Sequence, residues 1–192
     1  MDAHPKRPTG TDAKIAAAAL NLLREAGPGA VTIERVTQKS GVAKTTIYRR
    51  YRDRSELLRD ALTSLTAEGP PRSGLSKTDR LAGVVTQSVD VIDSGIGLGG
   101  VAALLTEEDP DFAALFRELL TAARAPIAAE IEALAAETGS DADPDTVIDM
   151  IVGSYVAERA RTGTVETSWT ARITTAVAVV LGIQGAAPTT AP

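Results

Sequence analysis

Within GVAKTTIYRRYRDRSELL, residues 41 to 58, five cations (Lys44, Arg49, Arg50, Arg52 and Arg54) stand among Tyr48, Tyr51 and the hydroxyls of Thr45 and Thr46. Ammonium and guanidinium groups neutralise phosphates, and hydroxyls bond phosphate oxygens. An arginine fork can also meet both major-groove acceptors of a guanine at once. The chemistry on offer is recognition of a polyanion rather than bond making. Charge along the chain agrees. Residues 1 to 60 hold twelve Lys and Arg against seven Asp and Glu, and residues 61 to 192 hold eight against eighteen, so a chain of net charge −5 carries a basic head on an acidic body. A basic run by itself is as readily a solvated face. What decides is how the run is held.

The holding elements read as helices. Thr11 can cap a first helix over Asp12 to Ala26, where Ile15, Ala19, Leu22, Leu23 and Ala26 follow the helical period and Gly27-Pro28 ends it. Thr32 caps a short helix to about Ser40, Gly41 breaks it, and a second short helix runs from Lys44 to Tyr51. Two short helices about a glycine turn form a helix-turn-helix, whose second helix lies in the major groove. Val36, Val42, Ile47 and Tyr51 supply its inner face; Lys44, Thr45, Thr46, Tyr48, Arg49 and Arg50 occupy the others. Asp53 then caps a helix from Arg54 to about Ala67.

The stretch EGPPRSGLS, residues 68 to 76, is the clearest break in the chain, and the domain boundary is placed there. Further helices are expected over Lys77 to Asp93, Gly100 to Thr106, Pro110 to Thr138, Pro144 to Thr162 and Ser168 to Leu181. Asp109-Pro110 and Asp143-Pro144 each offer an acidic cap before a proline at the first helical position. The expected organisation is all-α: a tail over residues 1–10, a head over 11–68, a body over 77–183 and a second tail over 184–192, both tails disordered.

The inventory also excludes. Cysteine is absent and His4 is the sole histidine, which removes disulfides, thiol nucleophiles, zinc clusters and any Ser-His-Asp triad. GIGLGG, residues 95 to 100, has the wrong spacing for a phosphate loop and no strand before it. Glu107, Glu108, Asp109 and Asp111 are explained by complementing a helix dipole, so no metal is expected. No cofactor is expected, and catalysis is disfavoured. No apolar run approaches the ~20 residues of a membrane helix, the longest being Ala176 to Leu181, and no signal peptide leads the chain, so the expected location is the cytoplasm.

The segment VTIERVTQKSGVAKTTIYRRYRDRSELLRDAL, residues 31 to 62, resembles the DNA-binding signature of the TetR family of bacterial transcriptional regulators. It has the opening threonine, Gly-Val in the turn, tyrosine in mid-helix with an aromatic three residues on, then a basic residue and Leu-Leu. The resemblance covers about residues 11 to 62. It implies a homodimer in which each subunit has a three-helix DNA-binding head and a helical body that senses a ligand. It places DNA contacts on Thr32, Lys44, Thr45, Thr46, Tyr48, Arg49, Arg50 and Arg54. Of these, Arg49 and Arg50 are expected at base edges or the phosphates beside them, and Lys44 and Arg54 on the backbone with Thr32 and Tyr48. Two departures stand out: Ala43 where the family often has a capping serine, and Glu34 at a site sometimes basic.

The implied function is a transcriptional regulator, most simply a repressor. It leaves a pseudo-palindromic operator in double-stranded DNA when a small molecule binds. The alternative is a helical small-molecule or protein-binding module whose head binds DNA weakly. A ligand cavity is expected among Val85, Val89, Ile92, Leu104, Phe116, Leu119 and Leu120, which suits an apolar or weakly polar effector. For the dimer, the stripes Ile148, Ile151, Val152, Tyr155 and Trp169, Ile173, Val177, Val180 are offered. The last two helices are apolar on more than one face, and composition cannot say which face meets the second subunit.

Overall fold

A computed structural model describes residues 10–66 and 74–184. Both expected tails, apart from Gly10 and Gln184, and most of the break at 68–76 lie outside the described residues. No strand occurs among the described residues. The chain is all-α.

Two compact units divide it, and the division departs from the expected boundary. One unit joins residues 10–66 with 92–120, the other 74–91 with 121–184. The body expected over 77–183 is thus interrupted, because its segment 92–120 packs with the head. In the first unit, α1 (Gly10–Ala26) meets α2 (Ile33–Ser40), α4 (Arg54–Thr63) and α6 (Gly97–Thr106). Helix α3 (Lys44–Arg50) rests on α2. The core holds Ile15, Leu23, Val36, Ile47, Leu57, Leu58 and Leu62, joined by Ile96 and Phe112. In the second unit, α5 (Lys77–Asp90) packs on α8 (Pro144–Thr162) and α9 (Trp169–Val180), with Leu81, Val84, Ile148, Ile151 and Val177 buried. The long α7 (Pro110–Thr138) contributes to both units.

Capping chemistry explains the starts. Thr32 accepts from Arg35 N, Asp53 from Glu56 N, Asp143 from Thr146 N and Asp109 from Phe112 N. Thr11 is not a cap: α1 already includes Gly10, so Thr11 sits in its first turn. Helix α4 ends at Thr63 and continues as a 3-10 turn over Ser64–Thr66.

Helix α5 also ends earlier than its sequence suggests and passes into a π-helical turn, Val91–Ile96, then directly into α6. The resulting helical run, Lys77–Thr106, contains an 18-residue window of mean hydropathy 1.5, long and apolar enough by length and composition to cross a membrane. The window is apolar on average, and no unbroken apolar run within it approaches that length. The run is apolar because Leu81, Val84 and Val85 enter the core of one unit and Ile96 and Ala103 that of the other.

The glycines of GIGLGG serve a close approach rather than a phosphate. Gly97 takes φ +63°, and a Cβ on Gly99 would meet Gly27 N at 3.2 Å and Leu23 O at 3.3 Å, both backbone atoms of the α1 terminus that cannot swing aside. Helix α6 accordingly starts at Gly97, three residues before the expected Gly100. Helix propensity alone makes Gly99→Ala stabilising by about 1 kcal/mol. The contact predicts the opposite sign, a net loss of ~1 to 3 kcal/mol from overpacking, measured by denaturant unfolding.

Candidate nucleic-acid interface

Three fixtures hold α3. Ile47 is fully buried against α2, and Tyr51, its C-cap, is buried and donates its hydroxyl to Asp60 Oδ2 of α4 at 2.7 Å. Burial and that carboxylate raise the Tyr51 phenol well above its ordinary range, so it stays a neutral donor. Arg50 pairs with Asp12 of α1 at 2.6 Å. Between α2 and α3, Gly41 takes the left-handed conformation at φ +68°, and the Val42 amide donates to Ser40 Oγ. Ala43 provides no side-chain cap for α3, as its type requires.

The helix turns Lys44, Thr45, Tyr48 and Arg49 to the outside, with Thr46 half-buried. Tyr48 is 51% exposed, far more than a tyrosine with a packing role would be. Thr45, Tyr48 and Arg49 fall at the i, i+3 and i+4 spacing of one helical face. Arg49 is exposed and engages in no ion pair among the described residues. Lys44 lies 5.7 Å from the centroid of the Tyr48 ring and pairs with Glu34 at 2.5 Å. That hydrogen-bonded pair lowers the Glu34 carboxyl below its ordinary range and raises the Lys44 ammonium above its own. Glu34, the departure noted in the sequence, thus occupies the Lys44 ammonium.

Three residues expected on DNA are engaged internally. Arg50 is half-buried in its pair with Asp12, and its Nε is buried without a hydrogen-bond partner. It holds α3 on α1 rather than offering a fork outward. Arg54 is turned inward: Nε donates to Val31 O at 2.9 Å, and Nη2 to Pro28 O at 2.5 Å and Asp109 Oδ2 at 2.6 Å. Thr32 spends its hydroxyl on the α2 cap and is half-buried. Arg52, left off the expected contacts, is instead 87% exposed, loosely paired with Glu56 at 3.2 Å. Nothing in the local sequence separates Arg52 from Arg54, two residues on with the same chemistry.

The residues expected around a ligand fall in different units. Val85 and Val89 are buried in the second; Ile92 and Phe116 are buried in the first, where Leu104, Leu119 and Leu120 are half-buried. Phe112 and Phe116 stack at 5.7 Å, which is core packing. A groove of about 980 Å³ borders α1, the end of α3 and α4, lined by Ala13, Ala16, Arg49, Arg50, Tyr51 and Asp60 among others. It involves none of the expected ligand residues.

The stripes offered for a dimer point mostly inward. Ile148, Ile151, Tyr155, Trp169 and Val177 are buried within the subunit, with Tyr155 and Trp169 in edge-to-face contact at 5.2 Å. Val152 and Ile173 are half-buried, and Val180 is exposed. The outward apolar face is a different one: Met150, Gly153, Ala157 and Ala160 on α8, with Ala176, Val179 and Val180 on α9.

Residues 15–61 match the sequence profile of bacterial regulatory proteins of the tetR family. No curated protein matches the chain. Among solved structures, Salmonella enterica GusR is similar at 16% identity, with 92% of this chain and 97% of that one covered and a TM-score of 0.58. Mycobacterium smegmatis AmtR is similar at 23% identity, with 95% and 91% covered and a TM-score of 0.57. Those likenesses extend the fold over the whole chain; the profile identifies its head. With α2, the Gly41 turn and the outward row of α3 in place, residues 15–61 form a DNA-binding head of the tetR-family kind, that of a DNA-binding transcriptional regulator.

Proposed function

We propose that the protein is a repressor that binds a pseudo-palindromic operator as a homodimer and leaves it when a small apolar or weakly polar molecule binds. The observation that carries this reading is the exposed row Thr45, Tyr48 and Arg49 on a helix pinned from three sides. A side chain aimed at base edges is useful only on a helix that cannot roll. Arg49 is the base reader in this account, Lys44 and Arg52 meet phosphates, and Arg50 keeps α3 in place. The second subunit docks on the outward face of α8 and α9, whose glycine and alanines let helices approach closely, and twofold symmetry of the dimer matches that of the operator. The protein acts in the cytoplasm, where its DNA is.

Effector release requires differential affinity. A ligand that binds the operator-competent and incompetent dimers equally changes nothing, however tightly it binds. The test is the mobility of the DNA flanking the protein's own gene, run against scrambled competitor. Retention of that DNA at a competitor excess that strips scrambled DNA is expected. Equal loss of both sequences favours the alternative, a helical small-molecule or protein-binding module whose basic head binds DNA only weakly.

A further inference from the structure

We propose that Asp109, acting through Arg54, is a positioning residue for operator binding. The pair sets the turn that leads into α2, and an acidic side chain with nothing to offer a polyanion thereby supports the grip on DNA. The proposal rests on the regulator reading above.

Arg54 opens α4, yet its guanidinium bonds the carbonyls of Pro28 and Val31. Those two carbonyls bracket the 3-10 turn Pro28–Ala30, one residue before Thr32 caps α2. Helix α2 starts directly after this turn, and α3 rests on α2, so a shift of the turn is passed to the start of α2 and on to α3. The remaining bond of Arg54 goes to Asp109 Oδ2, while Asp109 Oδ1 accepts from Phe112 N at 3.0 Å and caps α7. Both side chains are largely covered, at 30% and 19% exposure, so each needs the other's charge. Burial alone would raise the Asp109 carboxyl; the Phe112 amide and the Arg54 guanidinium outweigh it and hold the carboxyl below its ordinary range. One guanidinium therefore ties the start of α4, the turn before α2 and the start of α7 together.

The sign of the effect separates positioning from simple electrostatics. Asp109→Asn keeps a side chain that caps helices as well as aspartate does, but removes the charge that holds Arg54. Electrostatics alone predicts tighter binding to any DNA and, if the freed Arg54 finds a phosphate, a salt slope steeper by about one unit. Positioning predicts operator affinity lower by about tenfold, scrambled-DNA affinity unchanged and the same salt slope. Arg54→Lys, which keeps the cation but loses the fork, is expected to show the same loss, and the double variant no further loss. Circular dichroism establishes that each variant is folded; should Asp109→Asn not fold, Arg54→Lys decides alone. Operator affinity unchanged or raised in the folded variants overturns the proposal, as do losses that add in the double variant. Failure of the wild type to prefer operator over scrambled DNA would instead sink the regulator reading, and the proposal with it.

Discussion

Arg49→Ala is expected to leave the melting temperature unchanged and to weaken operator binding by ~1 to 3 kcal/mol per half-site, flattening preference at one operator position. Arg50→Ala should do something different, although the two arginines are neighbours in sequence. Arg50 is 29% exposed and bound to Asp12, which is itself mostly covered, so its loss removes a partly buried ion pair between α3 and α1. Allowing for solvent screening, about 1 to 2 kcal/mol of stability goes with it, or roughly 2 to 8 °C in a chain of this size. Operator affinity then falls because α3 is less well held, and scrambled-DNA affinity changes little. Thermal unfolding and DNA titration on the same two preparations check the contrast. If both variants keep wild-type stability and lose base preference alike, Arg50 reads DNA after all and its contact with Asp12 is incidental.

Val179→Glu should separate the subunits without unfolding either. Val179 is 76% exposed on α9, so the subunit's own packing does not depend on it. In a twofold dimer paired through this face, the substitution places two like charges in a desolvated apolar seam. An unpaired charge there costs ~2 to 5 kcal/mol, incurred once per subunit, so dimer affinity is expected to fall by at least about a thousandfold. Operator binding collapses with it, since one head alone holds only a half-site. Sedimentation at micromolar concentration should find the wild type dimeric and the variant monomeric with unchanged helix content. A variant that remains dimeric moves the interface elsewhere. Ile151, offered at first for the same seam, makes a poor test: it is fully buried, and a charge there attacks the fold of the subunit itself.

How much of this was legible in the sequence follows from how local each cause is. Asp109, Asp143 and Asp53 cap helices through amides three residues away, and Gly41 turns the chain through its own dihedral, so a reading of neighbours finds them. Arg54 could not be found that way. It and Arg52 lie two residues apart with the same chemistry, and what draws one inward is Asp109, 55 residues further along. Arg50 is claimed likewise by Asp12 from α1, and Lys44 by Glu34 from α2. The faces of α8 and α9 were undecidable for another reason: both are apolar, and only packing on α5 assigns one of them to the interior. The role of Gly97 and Gly99 was hidden for the same reason: each lies against the far end of α1, invisible to any window along the chain.

The most direct test of the account is to select genomic fragments on the purified protein and sequence what is retained, for the wild type and for Arg49→Ala in parallel. The wild type is predicted to enrich an inverted repeat with half-sites about one helical turn apart, near 10 base pairs or a multiple of it, and Arg49→Ala to enrich the same repeat with one symmetric position made indifferent. Recovery of no repeat by the wild type, or of an identical repeat with every position intact by the variant, would contradict the claim that α3 reads the operator through Arg49.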